Sequence, residues 1–497
     1  MLIFSQFFTV NTVNIILAIT GIFITLLTIL TARINIKTRR FEYLLINIVF
    51  VISFLIVIFT NNWLIFIVFW EMVTVSTALM LLWKSRGLSG QYLIIQFTGS
   101  SLLIFVILLA YNNGYMDIMP IKESWLQNFF VLGLGMKSAV FGLHFWLPAV
   151  HSQAPAPVSA ILSGWVVKLG FIMYLKLITT GNTFLLLIGL VMIFYGGFMA
   201  LISTDYKVLL AYSSISQLGF IAIGIGSGTM MGFVGSIFHM IAHSIAKTGL
   251  FIGSGYYKRI YASRNINDYK NFNKRPFVVN LSTIIGFLSL MGFPFFFGFN
   301  SKYLIKYGFH NNYYMEFLLC AAGIITAMYS FRFLYIINSD FFAKISSYDF
   351  KKKRKDFFYN IIKILSGKKT NKDKLSLLDK LDGTVLILTA VLLITLSFFT
   401  ESLAELIREY GVKINYLNSS IRILFIFIIS VYLLRRFNWI KREYERPPLL
   451  DMYFNKVNKY LHKTARYLYS IIYHEFQYQL LYIPGFIILL FVFIMFI

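Results

Sequence analysis

Long apolar runs, separated by short polar loops, recur along the chain from end to end. A helix needs roughly 20 apolar residues to cross the hydrocarbon core of a membrane, and by that measure the pattern predicts about fourteen spans. They cover 4–30, 42–60, 63–83, 91–111, 126–147, 157–178, 184–203, 208–227, 231–256, 277–308, 314–338, 384–400, 421–436 and 482–497. The stretches 126–147 and 277–308 are long and interrupted, so each is expected to be a broken helix. Near the C-terminus the period changes. Leu450, Phe454, Val457, Leu461, Ala465, Leu468, Ile472 and Phe476 recur at spacings of three and four, with Lys456, Lys459, Lys463 and Arg466 between them. That pattern predicts an amphipathic surface helix over 449–480, about 48 Å long if helical throughout. Membrane-surface binding and a strut along neighbouring subunits are both open to it.

Composition narrows the class. The 497 residues are 58% hydrophobic and 13% charged, with a mean hydropathy of +0.73. These values describe an all-α polytopic protein of the cell membrane rather than a string of soluble domains. The net charge of +25 would suit a nucleic-acid partner, but its distribution argues against one. With the N-terminus outside, the basic residues fall in alternate, inner loops: Arg33 to Arg40, Lys84 and Arg86, Lys207, Lys258 to Arg275, the KKKRK run at 351–355, and Arg435 to Arg466. This is the pattern of topology determinants and anionic-lipid contacts. Of the inner loops, only 148–156 lacks a basic residue. The first apolar run shows no small-residue cleavage site and is expected to be a retained helix. The single cysteine, Cys320, cannot form an internal disulfide.

The spans divide into an N-terminal helix and inner loop (1–41), two five-helix units (42–180 and 181–338), a basic inner-surface loop (339–383) and C-terminal helices (384–497). An odd repeat length forces the two units into opposite orientations, the inverted-repeat plan of many transporters. Each unit has its interruption in the fourth span. The first carries Lys137 and is expected to break near Pro148; the second breaks at GFPFFFGF, with Pro294 at its centre, and is followed by Lys302. Broken helices are tolerated at membrane depth where the freed backbone is buried in protein or lines a wet cavity.

Ionisable residues inside the spans are the candidate chemistry: Glu71, Lys137, Lys168, the set His239, His243 and Lys247, and Lys302. A charged lysine at mid-bilayer costs at least ~2.5–3.5 kcal/mol, and such residues usually mark ion or proton pathways. Glu71 is open to two readings, a fixed structural ion pair or a member of a pair that opens and closes. His239, His243 and Lys247 recur every fourth residue and so line one helix face. They lack a third metal ligand and an acidic HExxH partner, which disfavours zinc and favours a proton relay. His144, Pro148 and His151 form a polar elbow that could serve as a hinge, as a proton-uptake point, or as both. Asp205 and Lys207 suit a helix cap and anchor, and Lys176, near a helix end, is expected to snorkel. No haem, flavin, iron–sulfur or dinucleotide motif is present, so the chain is expected to need no cofactor and to hold no redox centre of its own.

Taken together, FWE at Glu71, KSAVFGLHFWLPAVHSQAPAPVSA from Lys137, the lysine at 168, DYKVLLAYSSISQLGF, FHMIAHSIAKTGLF, RNINDYKNFNKR and GFP…GFNSK at Lys302 resemble the antiporter-like proton-translocating membrane subunits. These occur in respiratory complex I, in Mrp-type Na+/H+ antiporters and in energy-converting membrane-bound hydrogenases. The resemblance covers roughly residues 42–340. It implies that Glu71 and Lys137 form the first-half pair, that Lys168 and the histidines lie on a central hydrophilic axis, and that Lys302 is the exit-side lysine. It also implies other membrane subunits as partners and protons as the transported ion, within a redox-driven complex. Na+/H+ antiport in an Mrp-type complex is the alternative. Members of the family carry three helices ahead of the first repeat, where this chain shows one. The 449–480 helix resembles the lateral helix of the distal complex I subunit but is shorter. The wording SAILSGWVVKLGF resembles the hydrogenase-linked branch.

Overall fold

In the computed structural model, the described residues are 8–35, 40–270, 277–339, 377–408 and parts of 426–436. Among them the chain is helical, with no β-strand, and eight helices are long and apolar enough to cross a membrane. The order begins with α1 (Thr12–Asn35), α2 (Arg40–Phe59), α3 (Trp63–Leu82) and α4 (Arg86–Asn112). The fourth span of the first half is in pieces: α5 (Ser124–Gly133), α6 (Gly135–Ser138) and α7 (Trp146–Gln153). Next come α8 (Ala156–Ile161), a π-helical turn over Leu162–Val166, and α9 (Val167–Leu177), which together make one span. The second half holds α10 (Thr183–Ile202), α11 (Tyr206–Gly226), α12 (Met230–Tyr261), the broken pair α13 (Phe277–Met291) and α14 (Phe297–Tyr307), and α15 (Tyr313–Ile337). Then follow α16 (Leu377–Phe398) and α17 (Thr400–Arg408). Residues 340–376 of the basic connector, the amphipathic helix expected at 449–480 and the span expected at 482–497 lie outside the described residues.

Local chemistry sets the helix starts. Asn62, Ser85, Asn182, Asp205, Thr229 and Asn312 each precede a helix, and their side-chain oxygens accept from backbone N–H groups of its first turn. Such caps satisfy donors that have no partner within the helix. In a membrane an unsatisfied backbone group is especially costly. Inside α1, Thr25, Thr28 and Thr31 return their hydroxyls to carbonyls of their own helix, which leaves their methyl groups for packing.

The first break does not lie at Pro148. It spans 139–145, where Ala139 (φ 52°) and Gly142 (φ 88°) take left-handed backbone conformations. Pro148 instead sits in the first turn of α7, where a missing N–H deprives the helix of no bond. The second break spans 292–296, with Gly292 (φ 76°) and Phe295 (φ 70°) on either side of Pro294. Both breaks depend on close backbone approach. A Cβ on Gly170 would lie 1.8 Å from Ser138 Oγ, and one on Gly298 would lie 1.9 Å from the Ser289 carbonyl oxygen.

The centre of the molecule is made by the 156–177 span, α11 and most of α12, which are buried nearly all round, while α2 and α4 keep exposed apolar faces for lipid. Outside the two halves, α16 packs on α12 and α13. It is fastened at one end by an Arg259–Asp382 ion pair and at the other by Asn300, whose amide donates to the Ser397 carbonyl (2.8 Å) and Thr400 Oγ1 (2.5 Å).

Candidate functional site

Lys137 is the penultimate residue of α6, two residues before left-handed Ala139, with its side chain buried. Its Nζ donates to the Trp70 carbonyl (2.7 Å) and to Thr74 Oγ1 (2.9 Å), and lies 3.9 Å from the centre of the Trp70 ring. Trp70 and Thr74 are one turn apart on α3 and bracket Glu71. The Glu71 carboxylate is coupled electrostatically to Lys137 without forming a contact ion pair. Both of its oxygens are shielded from solvent, and neither makes a hydrogen bond to protein. The arrangement is therefore that of an open pair, with the ammonium resting on neutral groups.

Lys168 follows the π-turn on α9 and donates to the Ser163 carbonyl inside that turn. Ser163 Oγ meets Ser214 Oγ of α11 at 2.8 Å. On α12, Lys247 Nζ donates to the Leu210 carbonyl (2.9 Å) and Ser213 Oγ (2.5 Å). Next along that face come His243 and His239, whose rings are nearly parallel with centres 6.3 Å apart. Neither ring nitrogen of His243 has a protein partner, whereas His239 Nδ1 bonds Ser301 Oγ at 2.9 Å. Ser301 adjoins Lys302, which donates to the Leu290 carbonyl at the end of α13 (2.7 Å) and lies over the Phe220 ring at 4.4 Å. The structure thus brings Lys168, Lys247, His243 and His239, all buried, into one series with half-buried Lys302. Glu71 and Lys137 form a separate cluster in the first half. Among the described residues, no group of three or more His, Cys, Asp or Glu side chains is placed to hold a metal.

Residues 60–329 match the family described as NADH:quinone oxidoreductase/Mrp antiporter, transmembrane. The chain belongs to this family. Among curated relatives, the antiporter subunits mnhA2 of Staphylococcus aureus strains JH9 and MRSA252 are each 31% identical over 350 residues, which is 61% of this chain and 44% of theirs. The chain therefore spans less than half the length of these relatives. Solved structures share its fold. A chain of the membrane-bound sulfane sulfur reductase, an archaeal respiratory membrane complex, has a TM-score of 0.63 at 22% identity, covering 83% of this chain and 84% of that one. A chain of respiratory complex I from Thermus thermophilus has a TM-score of 0.63 at 21% identity, with coverages of 80% and 86%. These similar proteins belong to multisubunit membrane complexes, and this family member is likewise a multi-pass membrane protein.

The elbow of this antiporter-family chain divides into parts with different surroundings. His144 lies in the break and stacks on Phe141, with Tyr195 edge-on. His151 lies in α7 against Phe251, fully buried, with neither ring nitrogen bonded to protein. It is within electrostatic reach of Lys207, Lys247 and Lys168. Trp146, which starts α7, donates its indole N–H to the Met136 carbonyl (2.7 Å), one residue from Lys137. That bond satisfies a carbonyl near the end of α6 and ties the two sides of the break together. The loop without a basic residue borrows two: Arg264 donates to the Ser152 carbonyl and Lys207 to the Ala154 carbonyl (2.5 Å).

Two cations have roles that the sequence pattern does not indicate. Lys176 does not snorkel; it donates to the Thr60 carbonyl just past α2 (3.0 Å). Arg332, fully buried in α15, donates to the carbonyls of Leu201 and Ser203 at the end of α10 (2.7 and 2.8 Å). In each half, a cation from the last helix thus caps the C-terminal end of the first, where helix carbonyls are exposed and negative.

Proposed function

We propose that this chain is the proton-translocating subunit of a multisubunit membrane complex, driven by redox chemistry in partner subunits. One observation carries this reading. Among the described residues, Lys137, Lys168, Lys247 and Lys302 rest on carbonyls and hydroxyls, while the ion pairs involve other cations. An ammonium locked to a carboxylate keeps its proton; one held by neutral acceptors in a buried site can part with it. In this reading the two halves are inverted repeats. A charge change in a neighbouring subunit shifts Glu71 relative to Lys137. The proton released there passes through Lys168 and His243 towards Lys302.

Sodium–proton exchange within an Mrp-type complex is the second reading, favoured by the 31% identity to named antiporter subunits. It predicts sodium-dependent exchange without an electron donor. Proteoliposomes containing the assembled complex, assayed for proton movement, test the shared core of both readings. K137A is expected to lower transport about a hundredfold, the scale of losing a positioned proton carrier. Wild-type transport by K137A would overturn the proposal, and the subunits that co-purify with the chain decide between the two driving forces.

A further inference from the structure

Two serines of the YSSISQ motif, Ser213 and Ser214, sit where the halves of the molecule meet, and the direction of their hydrogen bonds is informative. A hydroxyl has a single hydrogen to donate. Ser213 and Ser214 both spend theirs on the Leu210 carbonyl, at 3.0 and 2.9 Å. While Ser214 donates to Leu210, Ser163 is the donor in the 2.8 Å contact between the two serines, and when the Ser214 hydroxyl turns the direction reverses. Lys247 can only donate while it is charged, and does so to Ser213 and to the same carbonyl. Two half-chains therefore run head-on, Ser163 to Ser214 from the Lys168 side and Lys247 to Ser213 from the other, and both end on Leu210. Every one of these side chains is fully buried.

Resting on the proposed function, we propose that Ser163, Ser214 and Ser213 form the hydroxyl crossing that carries protons from Lys168 in the first half to Lys247 in the second. In the state seen here the crossing is shut, because a carbonyl oxygen accepts hydrogen bonds but has no hydrogen to pass on. When Lys247 is neutral its nitrogen becomes an acceptor, and the Ser213 hydroxyl is free to turn from Leu210 towards it. Ser213 and Ser214 are sequence neighbours that share one acceptor oxygen, and one bridging water completes the link between them. Lys168 rests on the Ser163 carbonyl, so its side chain first turns to the Ser163 hydroxyl. The proton given up there displaces one from Ser163 to Ser214, one from Ser214 through the water to Ser213, and one from Ser213 to the Lys247 amine. Lys168 ends neutral, Lys247 ends charged and each hydroxyl is restored. The other titratable groups facing this junction are His243 on α12 and His151 on α7, whose charge would bias which lysine holds the proton.

Proton movement by proteoliposomes of the assembled complex tests the crossing. S214A and S213A are each expected to lower transport about tenfold or more, the lower range for losing a proton carrier. S214T, which keeps the hydroxyl, is expected to restore most of it. A merely structural serine would show no such dependence on the hydroxyl. S163A and S214A cut the same link, so the double variant is expected to be no worse than either single one. Should S214A fail to assemble, S163A breaks that link from the opposite side and S214T still reports on the hydroxyl. If all three alanine variants transport like wild type while K302A is inactive, the crossing is wrong and the proposed function stands. If K302A also transports like wild type, both fall.

Discussion

The two broken helices hold their lysines by the same pair of devices, an aromatic face and a helix carbonyl, yet they are wired differently. Lys137 lies ahead of its break, and both its ring and its carbonyl come from Trp70 on another helix. Lys302 lies beyond its break; its ring is Phe220 on α11, but its carbonyl, Leu290, belongs to the other piece of the same broken pair. A sliding of α3 against α6 would loosen Lys137, whereas Lys302 moves with its own break. The counter-charge differs as well. Glu71 follows directly on Trp70, while α11 carries no acidic residue at all. In the proposed mechanism the first break responds to a neighbour's charge and the second relays the proton released there.

The sharpest way to break this comparison is to keep both charges and remove the ability to lose a proton. Arginine stays charged under all working conditions. K137R and K302R are therefore both expected to lower proton transport about a hundredfold, as far as the alanine variants do. If K137R alone kept its transport, Lys137 would be a fixed charge that acts through its field, and the two breaks would differ in kind rather than in wiring.

A smaller effect is expected from the ties that hold each break. W146F removes the indole bond to the Met136 carbonyl, which keeps only the Ala139 N–H at 3.2 Å, a net loss of about 0.5–1.5 kcal/mol. It is expected to lower the midpoint of thermal unfolding in detergent and to reduce transport several-fold through misplacement of Lys137. N300A, its counterpart beyond the second break, loosens the corner between α16 and α17, and its expected transport loss is smaller because Lys302 keeps Leu290. Equal losses in the two variants would mean that α16 holds the second break as directly as Trp146 holds the first.

How far these differences could be read in the sequence depends on the length scale of the interaction behind each. The caps at Asn62, Asn182 and Asp205 are local chemistry, and the buried lysines announce themselves by their cost in a membrane. The position of the first break was less legible. Pro148 is the conspicuous residue, but a proline in the first turn of a helix breaks nothing, and the turn is made by Ala139 and Gly142. Glu71 and Lys137 could be placed in one half from sequence, but whether they touch depends on how α3 packs against α6. The partners of Lys176 and Arg332 are tertiary as well, since a cation near a span end reads as snorkelling until the neighbouring helix end is in place. Serines 163, 213 and 214 were the least visible, because a serine within a helix more often bonds back to its own carbonyls. Two of these three do so, and only their shared acceptor reveals the crossing.

The last expected difference concerns the rings themselves. A cation over an aromatic face gains ~0.5–1 kcal/mol when exposed and about 2 kcal/mol or more when desolvated, with tryptophan the best partner. Trp70 lies closer to its lysine than Phe220 does, at 3.9 against 4.4 Å. Replacing each ring by leucine leaves the backbone carbonyls of Trp70 and Leu290 in place and so separates the ring from the hydrogen bond. W70L is expected to change transport about tenfold, which corresponds to ~1.4 kcal/mol, and F220L about threefold. W70F should lie between W70L and wild type if the face of the ring is what counts. An F220L effect as large as that of W70L would assign both losses to packing around the breaks, and the aromatic face would drop out of the account of how either lysine is held.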